Sequence, residues 1–245
     1  MPTQTPVHPQ TGLTKLRWGV IVFPGSNCDL DTGHVLKDVL GQDARYVWHE
    51  DTKLSHLDAL VLPGGFAHGD YLRAGAVARF SPVLEAVREF AASGKPVLGI
   101  CNGFQVLLEA GFLPGAMLRN RSQNFVCDWT NLRVESVISP FMREFSRHEV
   151  LRIPVAHGEG NYFADPDVLT EMERNGQILL RYSDVNGDVT EAANPNGSVG
   201  NIAGICNVDG NVMGLMPHPE RASERILGSD DGVRMFASLI RSISV

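Results

Sequence analysis

The stretch Val97-Leu98-Gly99-Ile100-Cys101-Asn102-Gly103 sets an apolar strand signal directly against a helical one, with a cysteine between two glycines at the junction. A strand that turns at once into a helix crowds its own backbone. Glycines on either side relieve the crowding and lift the middle side chain clear of the sheet edge. The G-x-C-x-G spacing therefore reads as a nucleophile elbow with sulfur in place of oxygen, and it ties the chain to an open α/β sheet. Cys101 is expected at a helix N-terminus, where the macrodipole favours thiolate over thiol.

The surrounding sequence agrees with that sheet. Residues 16–23, 44–48, 59–62 and 96–100 read as strands. Between them lie a helix running from a cap at Asp29 or Asp31 to Gly41, and another opened by Ser81-Pro82 and closed by Gly94. A third helix covers 103–110. Alternating strands and helices predict an open, mostly parallel sheet with helices on both faces, whose ligands bind at the carboxyl ends of the strands. The second half adds strands over 132–137, 151–155 and 178–182 and a helix from Asp165-Pro166 to Gly176. Asp209-Gly210 between apolar runs signals a two-residue hairpin. A last helix over 233–243 places Met235, Phe236, Leu239 and Ile240 in the core.

A second constellation lies in Met216-Pro217-His218-Pro219-Glu220-Arg221. The prolines bias their preceding residues away from helix, so the segment is expected to be extended, with His218 and Glu220 on one face. His218 then serves as base and Glu220 orients it, completing a nucleophile, base and orienter set with Cys101. Pro63-Gly64-Gly65-Phe66 offers glycine backbone after a strand. Gly65 and Asn102 are the candidate amide donors of an oxyanion hole. His157 and Glu159 sit in a further glycine-rich loop, but their spacing with His218 matches no zinc motif, and no metal is expected.

With 245 residues and 43% hydrophobic content, the chain is expected to form one soluble domain over 16–245 behind a flexible tail over 1–15. The tail lacks the apolar run of a signal peptide, and no stretch approaches membrane-spanning length. A net charge of −7 without a basic cluster argues against nucleic acid. Cys28, Cys101, Cys127 and Cys206 are scattered without a C-x-x-C pair, which fits free thiols in the cytoplasm.

In this order, Pro-Gly-Gly-Phe, Gly-Ile-Cys-Asn-Gly-Phe-Gln and Pro-His-Pro-Glu-Arg resemble the triad (class I) glutamine amidotransferases, a flavodoxin-like fold. More narrowly, Phe23-Pro24-Gly25-Ser26-Asn27-Cys28-Asp29, Gly69-Asp70 and Ala156-His157-Gly158-Glu159-Gly160 are similar to the glutaminase subunits of phosphoribosylformylglycinamidine synthases. The resemblance implies Cys101 as nucleophile, His218 as base, Glu220 as its partner, and an oxyanion hole at Gly65 and Asn102. It also implies that Gly64, Gln105, His157, Gly158 and Glu159 help to hold L-glutamine. No cofactor is implied for this chain. ATP and Mg2+ belong to a large synthetase partner, with a small accessory subunit, in purine biosynthesis, and the chain itself has no P-loop. Two other readings use the same residues: another triad amidotransferase or γ-glutamyl thiol hydrolase, and a non-enzymatic flavodoxin-like binding module.

Overall fold

The computed structural model describes residues 12–243; most of the tail expected over 1–15 and the last two residues of the chain lie outside the described residues. Strand β1 (Arg17–Val22) leads through a turn into α1 (Asp29–His34), which widens into a π turn over Val35–Val39. There follow β2 (Asp43–Trp48), β3 (Ala59–Leu62), α2 (Val83–Ala92), β4 (Val97–Ile100) and α3 (Asn102–Glu109). The second half contributes β5 (Ala116–Leu118), β6 (Val126–Val134), β7 (Val150–His157), β8 (Asn161–Phe163) and α4 (Pro166–Arg174). It closes with β9 (Ile178–Ser183), β10 (Ile202–Cys206), β11 (Val212–Leu215) and α5 (Val233–Ile243).

Nine strands form one mixed sheet in the order β2-β1-β3-β4-β11-β10-β9-β6-β7. From β2 through β11 all neighbours are parallel, and from β11 through β7 all are antiparallel. Every residue of β3, β4 and β11 is buried, as in strands covered on both faces. Following the pairings, β1, β3, β4, β11 and β7 all point the same way, so their carboxyl ends share one edge. The sheet also curls: His218, beyond β11, donates its backbone N–H to Pro154 O of the outermost strand at 2.8 Å. Met235, Phe236, Leu239 and Ile240 of α5 are fully buried, with Phe236 edge-on to Trp18 of β1 at 6.2 Å. Among the described residues no helix is long and apolar enough to cross a membrane.

Several local expectations are corrected. Neither Asp29 nor Asp31 caps α1; the cap position is Cys28, whose carbonyl accepts from the Thr32 N–H and hydroxyl at 3.0 and 2.9 Å. Asp31 instead reaches Arg221 at 3.3 Å. The Ser81 hydroxyl does not cap α2, because it lies 3.3 Å from His49 Nδ1 and 3.4 Å from His68 Nε2. β6 begins at Val126 and stops at Val134, since pairing with β7 draws in the polar segment before Thr130. The β10–β11 hairpin has a longer loop than two residues. Gly210, at φ +75°, closes a turn onto Asn207 O, and the Asn207 side chain accepts the Val212 N–H at 3.0 Å. The short pair β5 and β8 carries no clear sequence signal.

The first turn of α3 lies directly on the end of β3. A Cβ at Gly103 would overlap the Leu62 carbonyl, and one at Gly99 would meet Leu107 Cδ1 at 2.5 Å and Gly103 O at 2.8 Å. Gly103→Ala must push a helix off a backbone atom that has no room to yield. It is expected to lower stability by about 1–3 kcal/mol. That corresponds to about 2–4 °C of Tm per kcal/mol for a chain of this size, measurable by thermal denaturation.

Candidate active site

Cys101 occupies the cap position of α3 with φ +48° and ψ −105°, a conformation that costs a non-glycine residue about 1–3 kcal/mol. It is held there from both sides. Its N–H donates to Leu215 O at 2.8 Å and its carbonyl accepts from Gln105 N–H at 3.1 Å. The Sγ lies 3.6 Å from Ala156 O of β7 and opens on a cavity of about 460 Å³.

His218 and Glu220 meet by a different route from the extended segment expected. His218 itself is non-helical (φ −104°, ψ 86°), but Pro219–Arg221 form a single 3-10 turn. The turn is closed by Arg221 N–H to His218 O and Ala222 N–H to Pro219 O, both at 3.1 Å. Within it, His218 Nδ1 stands 2.6 Å from Glu220 Oε1, with side chains 2% and 0% exposed. Burial by itself would lower the imidazole pKa. The Glu220 carboxylate and the sulfurs of Cys101 and Cys28 outweigh it, and His218 is held well above its ordinary value. His218 Nε2 and Glu220 Oε2 are buried without a hydrogen-bond partner.

The loop after β3 is built to pass close to this pair. A Cβ at Gly64 would come 2.9 Å from His218 Cε1, 3.0 Å from Cys28 Sγ and 3.5 Å from Cys101 Cβ. Gly65, at φ +142°, is bridged to Ser26, and the Phe66 N–H donates to Gly25 O at 3.0 Å. The Asn102 side chain braces the loop from α3. It accepts the Ala67 N–H at 2.9 Å and donates to Asp70 Oδ1 at 3.1 Å and to Gln105 Oε1 at 3.0 Å. As the first residue of α3, Asn102 has a backbone N–H without an intrahelical acceptor.

Gly65, Cys101, Gln105, His157, Gly158, Glu159 and His218 line the cavity, while Gly64, Asn102 and Glu220 stand behind its wall. Gln105 is already engaged, its amide donating to Glu159 O at 2.6 Å. His157 is engaged at both ring nitrogens: Nδ1 donates to Asn120 Oδ1 at 3.2 Å and Nε2 accepts from Asn196 Nδ2 at 3.4 Å. Burial, with the nearby His218, pushes its pKa down to about 4, so its imidazole is neutral. Three charged side chains of the cavity, Asp70, Arg119 and Arg221, were not assigned a role by sequence reasoning. Asp70 has its carboxyl raised to about 6, chiefly by burial, against the Asn102 bond and with Glu159 adding to it. Arg119 lies 3.8 Å from Glu159 Oε1, and Arg221 donates to Cys28 Sγ at 3.1 Å. Asp70 and Cys28 fall within quoted motifs, but nothing in their spacing says that they face Cys101. Among the described residues, the group of His, Cys and carboxylate ligand atoms close enough to share a metal is Cys28, His218 and Glu220, not His157 and Glu159.

A cysteine on a strained elbow at the carboxyl edge of an open α/β sheet, facing a buried His–Glu pair, is the arrangement of a triad glutamine amidotransferase. Residues 15–236 match the CobB/CobQ-like glutamine amidotransferase domain. Over 225 residues the chain is 60% identical to the phosphoribosylformylglycinamidine synthase subunit PurQ of Moorella thermoacetica, covering 92% of this chain and 95% of that one. It is 57% identical over 229 residues to PurQ of Salinibacter ruber, covering 94% and 97%. The solved structure of PurLQS from Thermotoga maritima contains a chain of 44% identity that superposes with a TM-score of 0.83, over 94% of this chain and 100% of that one. The chain belongs to the CobB/CobQ-like glutamine amidotransferases and, within them, to the PurQ family of phosphoribosylformylglycinamidine synthase subunits.

The contact at Gly64 is open to test. Gly64→Ala must displace the His218 ring or the Cys28 sulfur. A folded variant is expected to lose about 10²-fold in glutamine turnover, read as glutamate release.

Proposed function

We propose that this chain hydrolyses glutamine at Cys101 and passes the ammonia to a synthetase subunit. That subunit uses ATP and Mg2+ to convert formylglycinamide ribonucleotide to formylglycinamidine ribonucleotide, and a small accessory subunit completes the assembly. The observation that carries the reading is the buried His218–Glu220 pair at 2.6 Å beside the elbow cysteine. Sγ of Cys101 adds to the side-chain carboxamide carbon, and the resulting oxyanion is held by the backbone N–H groups of Gly65 and Asn102. His218, kept protonated by Glu220, gives its proton to the departing nitrogen, so ammonia leaves and a glutamyl thioester remains. Neutral His218 then takes a proton from water as its oxygen attacks the thioester, which releases glutamate and restores the Cys101 thiolate beside protonated His218, the form in which the sulfur attacks.

The amino-acid end of glutamine has its own surroundings. Asp70 and Glu159 are the carboxylates for its α-ammonium, and Arg119 is the cation for its α-carboxylate. His157 and Gln105, whose polar atoms are already bonded, shape the wall, and Gln105 holds the backbone carbonyl of Glu159. Ammonia released into bulk water would be protonated and lose its lone pair, which is the chemical reason to deliver it directly to the partner.

Two outcomes follow. Cys101→Ala is expected to abolish glutamate release, alone and with the synthetase, ATP and formylglycinamide ribonucleotide, while the assembled enzyme still uses added ammonia. Continued glutamine hydrolysis by that variant would refute the assignment. Asp70 gives a pH signature. Its folded pKa of about 6 lies above the ordinary 3.8, so it is neutral below pH 6 and becomes an anion above it. The KM for glutamine is therefore expected to fall as pH rises through about 6. Asp70→Asn removes that limb and raises KM by about tenfold or more. The sign for stability is opposite. The folded state holds this proton more tightly than the unfolded chain, so ionisation costs stability, and Asp70→Asn is expected to melt higher than the parent at neutral pH.

A further inference from the structure

We propose that the side chain of Asn102 is a positioning group for glutamine hydrolysis, coupling the carboxylates that receive the α-ammonium of glutamine to the loop that carries the Gly65 oxyanion donor. This role rests on the glutaminase reading above. Asn102 follows Cys101 directly, is buried, and has both ends of its carboxamide engaged. Oδ1 accepts the Ala67 N–H at 2.9 Å. Nδ2 donates to Asp70 Oδ1 at 3.1 Å and to Gln105 Oε1 at 3.0 Å. Gln105 extends the connection, since its own amide donates to Glu159 O at 2.6 Å. The partners fix the orientation of the Asn102 amide, because a backbone N–H can only donate and an ionised carboxylate can only accept. Both residues of the ammonium site therefore hang on Nδ2, Asp70 directly and Glu159 through Gln105, while Oδ1 holds the oxyanion loop.

The loop after Gly65 needs such a hold. His68, Gly69 and Asp70 stand at φ +55°, +70° and +51°, in the left-handed region that His and Asp keep only where their surroundings impose it. Asn102 grips Ala67 and Asp70, the residues on either side of His68 and Gly69. The other anchors of this loop run to the turn after β1. Cys28 N–H donates to Gly64 O at 3.2 Å, Phe66 N–H to Gly25 O at 3.0 Å and His68 N–H to Pro24 O at 2.6 Å. Those bonds register the Gly65 amide to β1. The bonds that register it to α3, the helix capped by Cys101 and opened by the second oxyanion donor, come from Asn102. In the free site Glu159 repels the Asp70 carboxylate. An ammonium bound to both replaces repulsion with attraction and steadies Asp70. Through Asn102 it also steadies Ala67, two residues beyond the Gly65 donor. The amino-acid end of glutamine thus helps to set the hole in which its amide reacts, so its binding energy appears as rate.

The test compares glutamine with glutaramate, the same amide without its α-amino group, in the full chain assembled with its synthetase, by release of glutamate or glutarate. The parent is expected to show a kcat about tenfold or more lower with glutaramate, besides a higher KM. Asn102→Ala is expected to lower kcat for glutamine by about 10²-fold, as for a misplaced oxyanion donor. It should also bring the kcat values of the two substrates within about twofold of each other, since the link that tells them apart is cut. A loss confined to KM or to Tm, or the same ratio of kcat values in parent and variant, overturns the role. Should Asn102→Ala fail to fold, amide exchange decides in the Cys101→Ala chain, which binds without turnover. There saturating glutamine must slow exchange of the Ala67 N–H and saturating glutaramate must not. Equal protection by the two, or none, overturns the proposal. A parent that releases no glutamate sinks the glutaminase reading and this role with it, whereas an active parent matched by Asn102→Ala sinks this role alone.

Discussion

The contact of the first turn of α3 with the end of β3 is the constraint on which the rest depends. Gly103 sits so close to the Leu62 carbonyl that no side chain fits between them, and Gly99 is closed in by Leu107 and Gly103. With the helix pressed this far onto the sheet, the residue joining β4 to α3 cannot keep an ordinary strand or helix conformation. Cys101 absorbs the mismatch at φ +48°. Its strain is balanced by bonds on both sides, to Leu215 O of β11 and from Gln105 of α3. The same geometry aims the sulfur over the carboxyl edge of the sheet, where the loops from β1, β3, β7 and β11 also arrive.

Around that sulfur the protein accepts an electrostatic cost. His218 and Glu220 are withdrawn from water together, which is tolerable only because the imidazole and the carboxylate satisfy each other at 2.6 Å. Each still has a second polar atom without a partner. Asp70 is likewise held in a setting that resists its ionisation, with Glu159 near it. His157 is pushed the other way and stays neutral, locked between Asn120 and Asn196. The site thus separates groups that keep a charge from groups that lose it by the surroundings of each. Such unrelieved costs are common where chemistry, not stability, sets the arrangement.

Cys28 shows how closely the loops are interlocked. The turn after β1 is stitched to the loop after β3 by the Ser26–Gly65 bridge and by the Cys28 N–H donating to Gly64 O at 3.2 Å. That stitching carries a second sulfur up to the same imidazole, and Arg221 donates to that sulfur. The glycine pair after β3 therefore has two jobs: Gly64 leaves room for three side chains, and Gly65 permits the close pass of two loops.

Local patterns in the chain were sufficient for the elbow, the strand and helix alternation of the first half, the closing glycines at 94 and 176, and the buried face of α5, because each depends on neighbours in sequence. The pairing of His218 with Glu220 was legible too, although a 3-10 turn rather than an extended segment brings them together. Where a partner distant in the chain competes for a residue, local reading failed. Ser81 turns to His49 and His68 instead of capping, Asp31 goes to Arg221, and β6 extends through polar residues because β7 offers a ladder. Only the tertiary structure decided that the outermost strand curls back to His218, that Cys28 and Asp70 face the cavity, and that His157 is spent on its own wall. Sequence spacing specifies turns and faces, whereas desolvation and close approach across the sheet edge exist only once distant segments have been packed together.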